Sequence, residues 1–231
     1  MKNKKLVNYV KNKKLLEYNF SSFQVFVKDE LPKDVDVKKV FEKTFSSLPE
    51  HFLNLIDVAY IGDFSFFKEK NLNAMFIDGA LYITNQQDNN SDMLDDVIHE
   101  ISHAVEKKYS QEIYEDQKIK NEYFNKLKKL KNYLSFEGHD IRGIDFFNEE
   151  YNKDFDDLLF RAIGYEKLAG YIKNLFLSPY SVTSLREYFA RGFEEYYIGN
   201  RLDLKDISPY VYSKIMLLSN INDYNGDKYE Y

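Results

Sequence analysis

The sequence predicts an α+β chain: a small mixed sheet packed on one long helix, followed by a mostly helical C-terminal half. Three observations carry this. Short β-branched and aromatic runs fall between residues 23 and 85. The stretch 93–108 has no Gly or Pro and helical apolar spacing. Beyond it the periodicity stays helical as far as residue 218. The 231 residues read as one domain, with a sheet and its helix over 1–108, a helical insertion over 109–153 and a helical part over 154–231.

In order, residues 1–20 mix Lys and Asn with Leu, Val and Tyr, and read as a short helix or strand. Phe23 to Val27 alternates as a strand, ended by Pro32. Residues 35–47 read as a helix with Val37, Val40, Phe41 and Phe45 inward, and 49–55 as a second short helical piece. Residues 56–61 and 64–67 give a second strand region. Residues 73–85 read as a hairpin about Asp78-Gly79. Leu81-Tyr82-Ile83-Thr84 is then the strand expected nearest a cleft.

The next helix opens after the polar run 86–90, with Ser91-Asp92 as its expected cap. Leu94, Val97, Ile98, Ile101, Ala104 and Val105 form its apolar face. His99 and His103 fall opposite, with Asp92, Asp95, Asp96 and Glu106. A charged helix over 110–134 keeps a narrow stripe of Tyr123, Phe124, Leu127, Leu130 and Leu134. The run Lys126 to Lys131 reads as a solvated basic face. Residues 138–143 read as a loop, 154–177 and 209–218 as helical, and 220–231 as an acidic tail.

Composition narrows the function classes. A net charge of −6 argues against general nucleic-acid binding. Without cysteine there is no disulfide and no thiolate metal site. No run is long enough to span a membrane, and the basic N-terminus lacks the apolar core of a secretory signal. A cytoplasmic location and export as virion or toxin cargo both stay open, as does the oligomeric state.

The chemistry concentrates in His99-Glu100-Ile101-Ser102-His103, which takes two of the four histidines. Residues i and i+4 share a helix face, so the two imidazoles can grip one Zn2+ ion. Glu100 stands beside the first, within reach of a zinc-activated water. A catalytic zinc takes a third protein ligand. The continuation that would supply it on the same helix is absent, because Glu106 and Tyr109 stand where a glycine and a histidine are needed. Glu106 reads as a partner for a ligating histidine. His51, His139 and a glutamate on a later helix are the candidates for the third ligand.

Ser178 to Phe193 supplies such a glutamate, in Glu187-Tyr188-Phe189-Ala190-Arg191-Gly192-Phe193. Here the sequence resembles the metallopeptidase domain of anthrax lethal factor and the related secreted Pro-Pro endopeptidases, zincin-like enzymes of the gluzincin type. In that family a later helix reads roughly E-[FY]-F-A-E-x-F, and a tyrosine stands seven residues before its first glutamate. Tyr180 stands seven residues before Glu187. The resemblance implies His99, His103 and Glu187 as zinc ligands, Glu100 as general base and Tyr180 as oxyanion stabiliser. It covers 91–108 and about 175–218. The chain departs from the family in two ways: Arg191 replaces the second glutamate, and the gap between His103 and Glu187 is longer.

Helical spacing places Leu185, Tyr188, Phe189, Gly192, Phe193 and Tyr196 on one face, with Thr183 or Ser184 as cap. Glu187, Arg191 and Glu194 lie on the other, and Glu194 is a weaker ligand candidate. The implied activity is a zinc-dependent endopeptidase acting on a protein or peptide held along a sheet edge. The alternative is an inactive lethal-factor-like domain serving as a binding or structural module. A zinc hydrolase of non-protein amides is a third, less favoured reading.

Overall fold

The computed structural model describes residues 16–70 and 72–221. The expectations for residues 1–15 and for most of the acidic tail lie outside these. The chain is a mixed α+β structure that divides into two compact units, 1–108 and 109–231.

The first unit holds a five-stranded sheet: β1 (Leu16–Asn19), β2 (Gln24–Val27), β3 (Val58–Gly62), β4 (Ala74–Ile77) and β5 (Ala80–Thr84), in the order β1-β2-β3-β5-β4. The central strands β2, β3 and β5 run parallel, and both outer strands pair antiparallel. Along the central strands Val25, Val27, Ala59, Ile61, Leu81 and Ile83 are buried. Each large aliphatic chain among them contributes about 1.5–3 kcal/mol by leaving water. The alternate residues Phe26, Tyr60 and Tyr82 align in register, with ring centroids 5.6 Å apart at both steps.

Two helices cover the aliphatic side. In α1 (Val37–Ser47), Asp36 caps the N-terminus by accepting from Lys39 N–H at 3.2 Å, and Val37, Val40, Phe41 and Thr44 are buried. Phe45 is only half-buried and stacks on Phe20 with centroids 4.9 Å apart. After the short α2 (Glu50–Leu53) and α3 (Ser65–Lys70) comes α4 (Asn90–Lys108). The cap of α4 is Asn89, two residues before the expected Ser91-Asp92: its Oδ1 accepts from Ser91 N–H at 2.7 Å and Asp92 N–H at 3.2 Å. Its buried stripe begins at Met93 instead of Leu94 and runs through Val97, Ile98, Ile101, Ala104 and Val105.

The hairpin stands as expected. Asp78 (φ 46°) and Gly79 (φ 82°) form its two-residue turn, and two positive φ values are what a type I′ turn needs. Two expectations for this unit need correction. Residues 64–67 are not strand; Phe64 leads into α3, and four aromatic-rich residues carry no alternation to distinguish the two. And β5, expected at the cleft edge, is an interior strand bonded on both sides, which leaves β4 at the edge.

The second unit is helical: α5 (Ser110–Tyr114), α6 (Lys118–Phe136), α7 (Lys153–Asp157), α8 (Tyr165–Tyr171), α9 (Leu185–Tyr197), α10 (Arg201–Ile207) and α11 (Pro209–Ser219). The single helix expected over 110–134 breaks before α6, where Gln117 takes a left-handed conformation (φ 59°). The stretch expected as one helix over 154–177 is α7, a π-turn segment (Leu158–Ile163), a break at Gly164 (φ 88°) and α8. Its core gathers around Tyr123 and Tyr188, whose rings lie 5.3 Å apart and both meet Phe176 edge-on. Gly192 lets α9 approach α11 closely, because a Cβ there would collide with the Val211 side chain.

Candidate metal centre

Helix α4 positions the histidines. Their Nε2 atoms lie 3.1 Å apart, with the rings almost perpendicular at 89°. Two imidazole nitrogens that face each other this closely need a proton or a cation between them, since two lone pairs repel. Nitrogens bonded at ~2.0–2.1 Å to one tetrahedral zinc lie roughly 3.3 Å apart, so the spacing suits that ion. On the other side of the His103 ring, Nδ1 is 3.9 Å from Glu106 Oε2. That is beyond a hydrogen bond but close enough for the carboxylate to favour a proton on Nδ1, which leaves Nε2 as the donor to a metal. His103 is 5% exposed and Glu100 8%. These two side chains are withdrawn from solvent, while His99 and Glu106 are half-buried and Asp95 is exposed.

Glu100 is fixed by the sheet. Its Oε2 accepts the backbone N–H of Phe76, in β4, at 2.7 Å. Sequence reasoning missed this contact, because a backbone amide leaves no mark in the residue alphabet.

In the second unit, Glu187 occupies the first turn of α9. Of the two expected caps Ser184 is the one used, its Oγ accepting from Glu187 N–H at 3.2 Å. A carboxylate in a first turn is also favoured by the helix dipole. Thr183 instead donates its hydroxyl to Tyr180 O at 2.8 Å. Tyr180 opens a one-turn 3₁₀ segment and is 47% exposed. That turn is pinned by Ser181 Oγ donating to Ser178 O at 2.6 Å, and by Tyr123 Oη donating to Val182 O at 2.8 Å.

Arg191, standing where the resembled family has a glutamate, pairs with two carboxylates of its own helix, Glu194 and Glu195. Glu194, the weaker ligand candidate, is thus engaged by a guanidinium. His139 lies 3.2 Å from the Tyr171 hydroxyl, and His51 packs edge-on against Phe52. His99 and His103 are the donors that α4 brings together in the first unit, and in the second unit Glu187 stands at the start of α9.

The expectation of a solvated basic face over 126–131 fails at Lys126, which is 8% exposed. Its ammonium donates to Ile207 O at 2.6 Å and Ser208 Oγ at 2.9 Å and lies over the Tyr188 ring. Tyr188 Oη in turn donates to Glu122 Oε1 at 2.7 Å, and burial pushes its pKa far up. The signal was present in the sequence: 126 sits within the stripe of Tyr123, Leu127 and Leu130.

Comparison with family models, curated proteins and solved structures returns no match for this chain.

Proposed function

We propose that the chain is a zinc-dependent endopeptidase in which His99, His103 and Glu187 hold the ion, Glu100 is the general base and Tyr180 stabilises the oxyanion. The observation that carries this reading is the pair of histidine Nε2 atoms 3.1 Å apart on α4, next to a buried carboxylate at residue 100. Two imidazoles and one carboxylate are a donor set suited to zinc, with a fourth position left for water. Bound zinc would supply a water of lowered pKa and polarise the scissile carbonyl.

The remaining work falls to the chain's own groups. Glu100 accepts a proton from the attacking water and passes it to the departing amine as the C–N bond breaks, giving a carboxylate and an amine. The Tyr180 phenol donates a hydrogen bond to the oxygen that gains negative charge. Residue Glu106 keeps the His103 ring in one tautomer. The peptide lies along the edge of β4 as an added strand.

The test is metal content of the purified protein and of Glu187→Ala, with cleavage of a diverse peptide library by wild type and Glu100→Ala. The expected result is one zinc per chain, lost in Glu187→Ala, and cleavage lost in Glu100→Ala. Zinc without cleavage would favour the binding-module reading, and a protein without zinc would end the metallopeptidase reading.

A further inference from the structure

The clasp between Glu100 and the edge strand assigns a job to a backbone group. In β4, Asn73 O accepts from Thr84 N–H at 2.7 Å and the turn has two residues, so residues 73, 75 and 77 face β5. Residues 74 and 76 therefore present their amides and carbonyls to the outer edge. The Phe76 N–H is one of these, and it meets Glu100 Oε2 at 2.7 Å. The carboxylate stands where the carbonyl of a sixth strand would stand. Helix α4 touches the hairpin again about two turns further on, where Lys107 Nζ lies 3.8 Å from Asp78 and 6.0 Å from the centre of the Phe76 ring.

A glutamate has three rotatable side-chain bonds, and as an 8%-exposed anion it needs a donor. The amide answers both needs. It selects one rotamer and takes one oxygen, which turns the second oxygen to whatever the side chain serves. We propose that the outward amide of Phe76 is the positioning group for Glu100, and that it thereby sets where a substrate can pair with β4. This rests on the endopeptidase reading above. A peptide added to that edge finds the Phe76 donor already taken, so its ladder must stop beside the bond that Glu100 serves.

The amide can be observed without metal or substrate. Met75-Phe76 is the one Met–Phe step in the sequence, so carbonyl-13C methionine with 15N phenylalanine labels a single peptide group for NMR. The expected result is slow hydrogen exchange at Phe76 in the wild type, faster by about tenfold or more in Glu100→Ala, and largely restored in Glu100→Gln, which keeps a carbonyl acceptor. The second arm is kinetic. Phe76→Pro removes an N–H that faces away from the ladder, a position where an edge strand tolerates proline. It should lower kcat by about a hundredfold, the scale of a misplaced catalytic group, with KM and zinc content near wild type. Phe76→Ala keeps the amide and should lose much less kcat than Phe76→Pro.

Equal exchange rates at Phe76 in wild type and Glu100→Ala would overturn the proposal while leaving an active peptidase intact. So would an unchanged kcat in Phe76→Pro. If the wild type binds zinc but cleaves no peptide, the endopeptidase reading falls and the positioning role falls with it, even with a protected amide.

Discussion

Replacing Lys126 by Met should remove a pH dependence that the wild-type second unit must carry. The ammonium is held over the Tyr188 and Phe176 rings, at 4.9 and 5.5 Å from their centres. Desolvation by burial lowers its pKa from 10.5 to about 8, against the opposing pull of Glu122. The unfolded chain therefore binds more protons than the folded one between pH 8 and 10.5, and stability rises with pH across that window. From pH 7 to 9.5 the gain is about 2 kcal/mol for this one group. Methionine has similar length and no charge, so its curve lacks the rise. At pH 7 the variant is relieved of the buried charge but leaves Ile207 O without its donor, and these offset. The assay is urea unfolding of both proteins at pH 7, 8, 9 and 9.5, followed by far-UV circular dichroism. Tyrosines common to both cancel in the difference. A stability difference that stays constant to within about 0.5 kcal/mol over the range would refute the argument that Lys126 is buried as a cation.

Three further substitutions test separate parts of the second unit. Ser184→Ala removes the cap that accepts from Glu187 N–H and should cost about 1 kcal/mol, read as a lowered thermal midpoint. Gly192→Ala gains helix propensity, but its new methyl meets Val211 and lies 3.4 Å from Leu204 Cδ1. Overpacking should win, with a net loss of about 1–3 kcal/mol in urea unfolding. Tyr180→Phe should lower kcat by about a hundredfold on a cleaved peptide while zinc content stays at wild-type level, because the ring is kept and only its hydroxyl is lost.

What the sequence made legible was whatever depends on side-chain period or on a turn with fixed chemistry. Helix α4 showed as apolar residues at 97, 98, 101, 104 and 105, and the hairpin as Asp-Gly between two apolar runs. The cap showed as Thr183 or Ser184, but which of the two hydroxyls is used did not, because Thr183 turns back to Tyr180 O instead. Strand order did not show. Whether β5 or β4 is the edge depends on a parallel pairing between β3 and β5, which leaves no pattern in either strand alone. The break before α6 was hidden for a related reason: Gln117 adopts φ 59° without being Gly, Asn or Asp, so no residue marks it. Lys126 was misread because its sign of charge was weighed above its position. It falls among residues that are fully buried, and long cationic side chains follow their stems into a core when a carbonyl waits at the end.

The same distinction separates the chemical identity of the candidate site from its precision. Residue types and spacing marked His99, Glu100 and His103, and the family resemblance added Glu187. What aims them is largely backbone: the Phe76 amide on Glu100, and the Glu187 amide on Ser184, which fixes where α9 begins. A second copy of the same five-residue motif on a solvent helix would keep the imidazole spacing and lose the carboxylate's orientation. Side chains in that setting choose among rotamers freely, and catalysis that needs a proton taken from one water tolerates little such freedom. On the proposed reading the sheet edge is therefore part of the site in its own right. Its strand β4 contributes through a main-chain N–H, so proline at residue 76 should lower activity while leaving the fold in place.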